Sequence, residues 1–446
     1  MSTPFRRYDP HQGLLFPPSL RDWLPEDHLA WFISDTVDEL DIKVLMESYR
    51  RQGSGNLAYH PRMLLKVLIY GYCTGVYSSR KMAKQVEENV AFRALAGNQQ
   101  PNHRTICRFR EVHLKHFERL FVQVVQIAKT AGLVQLGLLA GDGSKVKANA
   151  SKHKAMSYAR MQEEERRLQK ENRALTKAAK AQDVIEDKQY GPDFRGDEIP
   201  EELRRRETCL KKIQEAKARL EARKKEEEEE RQKAKGRDPD DQGGPSRPGR
   251  GRKAKYLLGQ RRPKDQVNFT DPDSWIMKSH GGFEQSYKIR IAVSEEYQII
   301  VVTGLSNCAA DNHQLIPMVK AAEANTGEKP ARIVADSGYR SEENFKALHE
   351  TDIQVYVSVG REGNPGQRIQ PKLAETQKMQ RRLKGKRGRQ VYKKRKQIVE
   401  PVFGWIKTVT GFRSFSVRGL AKVSGEWSLV CLAMNLRRMN GLIAWQ

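Results

Sequence analysis

The stretch Leu138-Leu-Ala-Gly-Asp-Gly-Ser144 opens the part of the chain that decides the fold. The apolar run 136–140 is typical of a buried strand, and the Gly-Asp-Gly that follows it indicates a turn. We therefore expect Asp142 at the end of a buried strand. Because a carboxylate at such a strand end lies beside the neighbouring strands, Asp142 is a candidate functional residue.

Further strands and helices follow in alternation. Strand patterns cover 286–293, 298–303, 331–335 and 353–358. Helical patterns at about 311–325 and 341–349 separate the later strands. Strands that alternate with helices predict a mixed α/β sheet, and we expect it in residues 131–446.

Residues 1–130 are predicted to form an all-helical domain, since Pro and Gly separate its apolar segments. A helix from about His103 to Phe117 has apolar residues that can pack inward, namely Ile106, Phe109 and Val112. The same helix carries three arginines, Arg104, Arg108 and Arg110. This pattern fits a helix-turn-helix-like module whose last helix faces DNA, and it fits an ordinary bundle with solvated arginines equally well.

A charged insertion, 152–265, interrupts the α/β domain. Apolar residues recur at intervals of seven, as in Met161, Leu168 and Leu175, in Leu203 and Leu210, and in Ile213 and Leu220. This spacing predicts two long helices that form a hairpin or short coiled coil. Its tail, 233–262, is rich in Gly, Pro and basic residues, and we expect a flexible linker there.

The charge of the chain indicates a polyanionic partner. The formal net charge is +26 and the pI is near 9.8. Nucleic acid is the first candidate, because Lys and Arg gain affinity by displacing counterions from phosphates. No run approaches the roughly 20 apolar residues of a spanning helix, and no signal peptide is evident. We expect no membrane partner and a cytoplasmic location.

A second basic tract, 376–396, holds eleven Lys or Arg residues and no acidic residue. It is either a solvated loop or a strip that binds phosphates, and its position just before Glu400 favours the strip. The five cysteines are scattered without zinc or disulfide spacing, so they predict neither kind of site.

Three acids stand in separate motifs: Asp142, Asp336 in Ile333-Val-Ala-Asp-Ser-Gly-Tyr339, and Glu400 in Ile398-Val-Glu-Pro-Val-Phe-Gly-Trp-Ile-Lys407. Two strand-end aspartates and a helical glutamate can share a pair of Mg²⁺ ions, which activate a hydroxyl against a phosphodiester. Mn²⁺ has similar ligand preferences. Taken singly, the acids also fit a turn, a helix cap and a solvated ion pair.

Together with their neighbours, these motifs resemble those of DDE transposases of bacterial insertion sequences. The matching segments are Tyr59-His-Pro-Arg-Met-Leu-Leu-Lys66, Asn102-His-Arg-Thr-Ile106, Phe109-Arg-Glu-Val-His113, Gly141-Asp-Gly-Ser-Lys145, Ala335-Asp-Ser-Gly-Tyr339 and Val399-Glu-Pro-Val-Phe-Gly404. The resemblance implies a helical N-terminal DNA-binding domain before an RNase H-like catalytic domain. It also implies that Asp142, Asp336 and Glu400 are the catalytic, metal-binding acids.

Related transposases carry a Tyr, Arg, Glu, Lys signature around the third acid. Glu400 and Lys407 keep the expected spacing, which implies that Lys407 contacts DNA and lies two helical turns along the same face. Tyr392 and Arg395 keep their mutual spacing, but Arg395 lies one residue too far from Glu400. Lys396 occupies the expected arginine position, so all four basic or aromatic residues are candidates for DNA contact.

Asp271 and Asp273 precede the second strand region in Phe269-Thr-Asp-Pro-Asp-Ser274. Asp-Pro is a strong turn signal, so a plain turn is the first interpretation. A role beside the metal or in positioning DNA is the alternative.

The sequence thus predicts a transposase that binds the terminal repeats of its element, cleaves a strand at each end and joins it to target DNA. The expected assembly holds two DNA ends at once, so we expect a homodimer or higher oligomer on DNA. We also expect the protein at the bacterial nucleoid. Two alternatives remain open: a DNA-binding regulator that has lost catalysis, and a metal-dependent nuclease that does not join.

Overall fold

The computed structural model describes residues 19–49, 58–190, 201–233, 265–279, 282–307, 314–349, 351–360 and 373–443. The helices are α1 Leu29–Glu39, α2 Lys43–Met46, α3 Pro61–Cys73, α4 Ser79–Glu88, α5 Val90–Leu95, α6 His103–His113, α7 Phe117–Thr130, α8 Tyr158–Tyr190, α9 Glu201–Lys233, α10 Leu315–Thr326, α11 Glu342–His349, α12 Ala374–Lys384, α13 Lys386–Gly404 and α14 Leu420–Ile443. The strands are β1 Leu139–Lys147, β2 Ala155–Ser157, β3 Gln266–Asn268, β4 Trp275–Ser279, β5 Gly282–Ser294, β6 Ile300–Ser306, β7 Arg332–Ala335 and β8 Gln354–Val357.

The main sheet is mixed, as predicted. Strand β5 pairs antiparallel with β1 on one edge, and with β6 and β4 on the other. Strands β7 and β8 continue the sheet parallel to β1. Helices α10 and α11 provide the crossovers between the later strands, as parallel pairing requires. The result is an RNase H-like α/β fold.

Strand β1 is longer than the sequence predicts. It does not stop at Gly-Asp-Gly but continues to Lys147, because β5 pairs with it without interruption from Leu139 to Lys147. Asp142 therefore lies inside β1, and the prediction of a strand end at Asp142 is wrong. Helix α10 approaches β1 closely at Gly141, where a Cβ would lie 2.6 Å from the sulfur of Met318.

The helical region and the sheet share one continuous hydrophobic core. Helix α14 is buried along most of its length and packs against α3, α7 and β6. Trp427 is 1% exposed and donates from Nε1 to the carbonyl of Arg290. The helices before residue 130 are thus joined to the α/β part through α14.

The charged insertion forms the predicted hairpin. Helices α8 and α9 pack together, and β2 pairs with β3 at their base. Met161, Leu168, Ile213 and Leu220 are buried in a small core separate from the main one. Glu165 accepts hydrogen bonds from Lys217 and Gln214 across the hairpin. The predicted linker lies outside the described residues except for Lys233, the last residue of α9.

The basic tract is helical rather than a loop, because it forms most of α12 and α13. Within α13, Pro401 cannot donate to the carbonyl of Gln397. The side chain of Gln298, in the turn before β6, donates to that carbonyl at 3.0 Å and replaces the missing bond. None of the described helices is long and apolar enough to cross a membrane.

Candidate active site

Asp142 lies in β1, and Asp336 follows directly after the end of the neighbouring strand β7. The parallel register pairs Gly141 of β1 with Ala335 of β7, so the next residues along the two strands are the two aspartates. Residues paired across parallel strands point to the same face of a sheet. Asp142 is partly buried, and Asp336 accepts a hydrogen bond from the backbone of Gly338 at 3.0 Å. Two motifs nearly 200 residues apart thus contribute one carboxylate pair.

Arg395 of α13 neutralises one member of this pair. Its Nη1 lies 2.8 Å from Oδ2 of Asp142, and the two side chains are only 6% and 17% exposed. The guanidinium also lies over the ring of Tyr392, 5.8 Å from its centre. Buried charges require such pairing because burial removes their hydration. Arg395 is therefore an internal partner of the acid pair, and its position does not fit the predicted DNA contact.

Glu400 lies on the same helix but faces solvent. Glu400 lies five positions after Arg395, which corresponds to about 140° around an α-helix. The face that places Arg395 against Asp142 therefore turns Glu400 outward. Among the described residues, no three acids, histidines or cysteines lie close enough together to hold a metal ion.

Lys407 reaches the sheet just beyond the aspartate pair. Its Nζ donates to Oγ of Ser144 and to the carbonyl of Lys145. Residues 405–409 form a π-helical turn, which changes the phase of the helix after Glu400. Glu400 is exposed, whereas Lys407 is half-buried against the sheet. Burial lowers the pKa of Lys407 below its ordinary value.

Apart from Arg395, every Lys and Arg of the basic tract is exposed. Lys396 lies one helical turn before Glu400 and is exposed with it, while Tyr392 is half-buried. Some of these basic residues form ion pairs with acidic side chains, as Lys394 does with Glu295. The exposed remainder forms a positive surface beside the acids, as backbone binding to DNA requires.

Two of the three arginines of α6 that were predicted to contact DNA are exposed. Arg104 and Arg108 are exposed, whereas Arg110 is 6% exposed and donates to the carbonyl of Tyr77 at 2.9 Å. Val112, predicted to pack inward, is 45% exposed. Arg110 cannot serve as the predicted DNA contact from this position, because its guanidinium is enclosed within the protein.

Asp271 and Asp273 hold the start of α14. Asp271 accepts hydrogen bonds from the hydroxyl of Tyr287 and the backbone of Gly419, and Asp273 accepts one from the backbone of Leu420. Burial raises the pKa of Asp271. Carboxylates at a helix N-terminus satisfy its free N–H groups. Their contacts are therefore those of a helix cap.

Two of the three predicted acids fit a divalent ion. Asp142 and Asp336 are adjacent, and carboxylate oxygens are the ligands that Mg²⁺ prefers. The third acid does not reach them in this conformation, and Arg395 supplies the positive charge beside Asp142. This arrangement can hold one cation at the aspartate pair and phosphates at the surrounding lysines.

Two family models match the chain. A transposase domain (DUF772) covers residues 18–112, and a transposase DDE domain covers residues 254–436. Together they span more than half of the sequence. The chain belongs to the DDE transposases. No curated protein and no solved structure matches it.

The matched DDE segment of this transposase contains Asp336 and Glu400, while Asp142 lies between the two matched segments. The register of β1 and β7 joins Asp142 to the matched part. Sequence reasoning missed Ser144, which lies two residues beyond Asp142 on the same face of β1. Period-two alternation would have identified it, had the strand been extended through Gly143.

Proposed function

We propose that this transposase binds the terminal repeats of its insertion element, cleaves a strand at each end and joins the freed 3′ hydroxyl to target DNA. The observation that supports this proposal is the register that places Asp142 beside Asp336 under α13, the helix that carries Glu400. An RNase H-like sheet with acids at this position suits phosphodiester chemistry. The protein would act on the bacterial nucleoid, as a homodimer or higher oligomer that holds two DNA ends.

Members of this family typically use a divalent metal. Asp142 and Asp336 would hold Mg²⁺, or Mn²⁺ in its place, and Glu400 is the third acid by its motif. When bound, the ion would activate a hydroxyl or water and stabilise the leaving oxygen.

The chain's own residues have three tasks in this proposal. Arg395 holds the carboxylate of Asp142 against α13. Lys407, anchored on Ser144, places a positive charge next to the aspartates. The exposed basic residues of α12 and α13, with Lys396 beside Glu400, bind DNA phosphates, and Arg104 and Arg108 contact DNA from α6.

The test is cleavage and joining on a labelled duplex that carries the element's own end, with Mg²⁺. We expect nicked and joined products from the native protein. Asp142→Asn, Asp336→Asn and Glu400→Gln should abolish both products and leave DNA binding intact. Glu343→Gln, which removes an exposed acid on α11, serves as the matched control and should retain activity.

Each of the other possible results of this test would contradict part of the proposed function. Nicked products without joined ones would identify a metal-dependent nuclease that does not join. Binding without any product from the native protein would identify a DNA-binding regulator. Activity that survives all three acid substitutions would refute the assignment of the catalytic acids.

A further inference from the structure

A basic groove opens at the far end of β1. It has a volume of about 740 Å³ and lies between residues 147–154, the start of β5 and residues 414–418. Five of its lining residues are basic: Lys147, Lys152, His153, Lys154 and Arg418. Glu284 is the one acid among the described residues that line it, and it already lies 3.7 Å from Lys147. The groove is therefore suited to an anionic ligand.

The walls of the groove are held in place before any ligand binds. The backbone N–H of Phe415 donates to the carbonyl of Lys147 at 2.9 Å, and the side chain of Asn149 donates to the carbonyl of Ser416 at 2.8 Å. Arg418 donates to the carbonyl of Asn149, which fixes its guanidinium at the rim. Such preorganisation lowers the entropy lost on binding.

Strand β1 connects the groove to the aspartate pair. Asp142 and Lys147 lie five residues apart on one continuous strand, a distance of about 17 Å at 3.3 to 3.4 Å per residue. This distance corresponds to roughly five base steps of a nucleic acid strand. Lys407, held on Ser144, lies between the two positions. Side chains alternate along a strand, so Lys147 points to the opposite face of the sheet from Asp142, and Val146 between them is buried. The two sites are nevertheless close enough for one bound DNA molecule to reach both.

An exposed aromatic side chain lies at the rim. Phe283, the second residue of β5, is 57% exposed beside these lysines. A large apolar ring in a basic groove has the composition of a single-strand site, in which bases stack on aromatic rings while lysines bind phosphates. Paired bases inside a duplex are already stacked on one another, so the ring favours an unpaired nucleotide.

We propose that the basic groove binds an unpaired segment of the DNA on which the aspartate pair acts. Lys152, Lys154 and Arg418 contact its phosphates, and one base stacks on Phe283. This proposal deepens the proposed function, because it names a second contact for the strand on which the acids act.

The experiment measures binding by the full-length protein without divalent metal. The probes are a labelled 12-nucleotide single-stranded DNA and a blunt duplex of the same sequence, followed by fluorescence anisotropy at several salt concentrations. The variants are Lys152→Ala/Lys154→Ala, Phe283→Ala and Phe283→Tyr. The controls are Lys43→Ala/Lys320→Ala, which removes two exposed lysines elsewhere, and Ile276→Ala, which removes an exposed apolar residue on β4.

We expect the double lysine variant to bind single-stranded DNA at least tenfold more weakly, with a salt slope smaller by about 1.4. Phe283→Ala should weaken single-strand binding by roughly fivefold to a hundredfold and leave duplex binding unchanged. Phe283→Tyr should bind like the native protein because it keeps the ring. Both controls should also bind like the native protein.

Equal losses in the controls, or equal losses for both probes with Phe283→Ala, would overturn the proposal. A 12-nucleotide RNA of the same sequence is the third probe, and tighter binding of the RNA than of the single-stranded DNA would overturn the choice of ligand. Repeating the binding on Asp142→Asn separates this proposal from the proposed function. If Asp142→Asn loses cleavage but still binds the single strand, the groove proposal stands apart from the catalytic acids. If the native protein cleaves DNA but does not bind the single strand, the groove proposal alone is refuted. Circular dichroism melts confirm that each variant is folded.

Discussion

At the residue scale, the contact between Arg395 and Asp142 sets the charge of the aspartate pair. Arg395 lies one residue away from the arginine position of the family signature. Its side chain points inward and neutralises the carboxylate of Asp142. The position expected for the signature arginine holds Lys396, which is exposed. The shift of one residue therefore divides two tasks between neighbours: one side chain faces the acids and the other faces solvent.

Arg395→Gln should destabilise the protein, because it leaves the Asp142 carboxylate without its buried partner. Breaking a buried pair costs on the order of 3 kcal/mol. Mg²⁺ should raise the Tm of the variant more than that of the native protein, since the ion replaces the missing positive charge. Differential scanning fluorimetry with and without Mg²⁺ tests this, and Arg437→Gln, which removes another half-buried arginine, is the control. Equal Mg²⁺ effects on the native protein and the variant would contradict the prediction.

His113 should make stability depend on pH. It is 1% exposed, and burial, with His116 and Lys115 nearby, lowers its pKa from 6.5 to about 4. The unfolded chain therefore binds a proton that the folded chain excludes between these values. We expect His113 to contribute its full stability above pH 6.5, and this contribution should fall as the pH drops toward 4. Urea unfolding across that range should show a shallower decline for His113→Gln.

At the element scale, the hairpin of α8 and α9 has its own small core. It contacts the remainder of the protein at its base, where Arg223 of α9 lies over the ring of Trp275, 4.6 Å from its centre. A helix pair with few buried residues opens locally without global unfolding. The hairpin should therefore behave as a separate cooperative unit.

Leu220→Ala should loosen the hairpin and spare the sheet. Leu220 is 0% exposed in the small core, and removal of such a side chain costs about 2 to 5 kcal/mol. Hydrogen exchange measured by mass spectrometry should speed up in α8 and α9 and stay unchanged in β1 and β5. Leu429→Ala, in the main core, is the matched comparison and should speed exchange in α14 and the sheet. Faster exchange in the sheet with Leu220→Ala would show that the two cores are coupled.

At the scale of the whole molecule, α14 joins the helical region to the sheet through a buried polar network. Glu426 is 0% exposed and accepts a hydrogen bond from the hydroxyl of Tyr72 in α3 at 2.8 Å. It also accepts hydrogen bonds from the backbone and the hydroxyl of Ser416. Arg110 lies 3.4 Å from the same tyrosine hydroxyl. The carboxylate thus connects α3, α6, α14 and the loop that borders the basic groove.

Tyr72→Phe and Glu426→Gln should be energetically coupled. Tyr72→Phe removes the donor and Glu426→Gln removes the charge of the acceptor in one buried hydrogen bond, so the double variant should lose less stability than the sum of the two single variants. We expect a coupling of about 1 to 2 kcal/mol from urea unfolding. Because the core is continuous, the helical region and the sheet should unfold in one transition. Additive losses, or separate transitions for the two regions, would contradict this prediction.

The sequence by itself determined many of the elements and the family. Apolar periodicity is a local property of the chain, so it predicted the helical N-terminal region, helices α10 and α11, strands β1, β5, β6, β7 and β8, and the hairpin insertion. The local motifs around Asp142, Asp336 and Glu400 predicted the family, which the family models confirm.

The tertiary structure decided which side chains meet. Asp142 lies inside a strand because β5 pairs across Gly143, and it adjoins Asp336 because of the register with β7. The packing of α13 turned Arg395 inward and Glu400 outward, and the network around Glu426 enclosed Arg110. These outcomes depend on pairing and packing between segments distant in sequence, which local patterns do not encode.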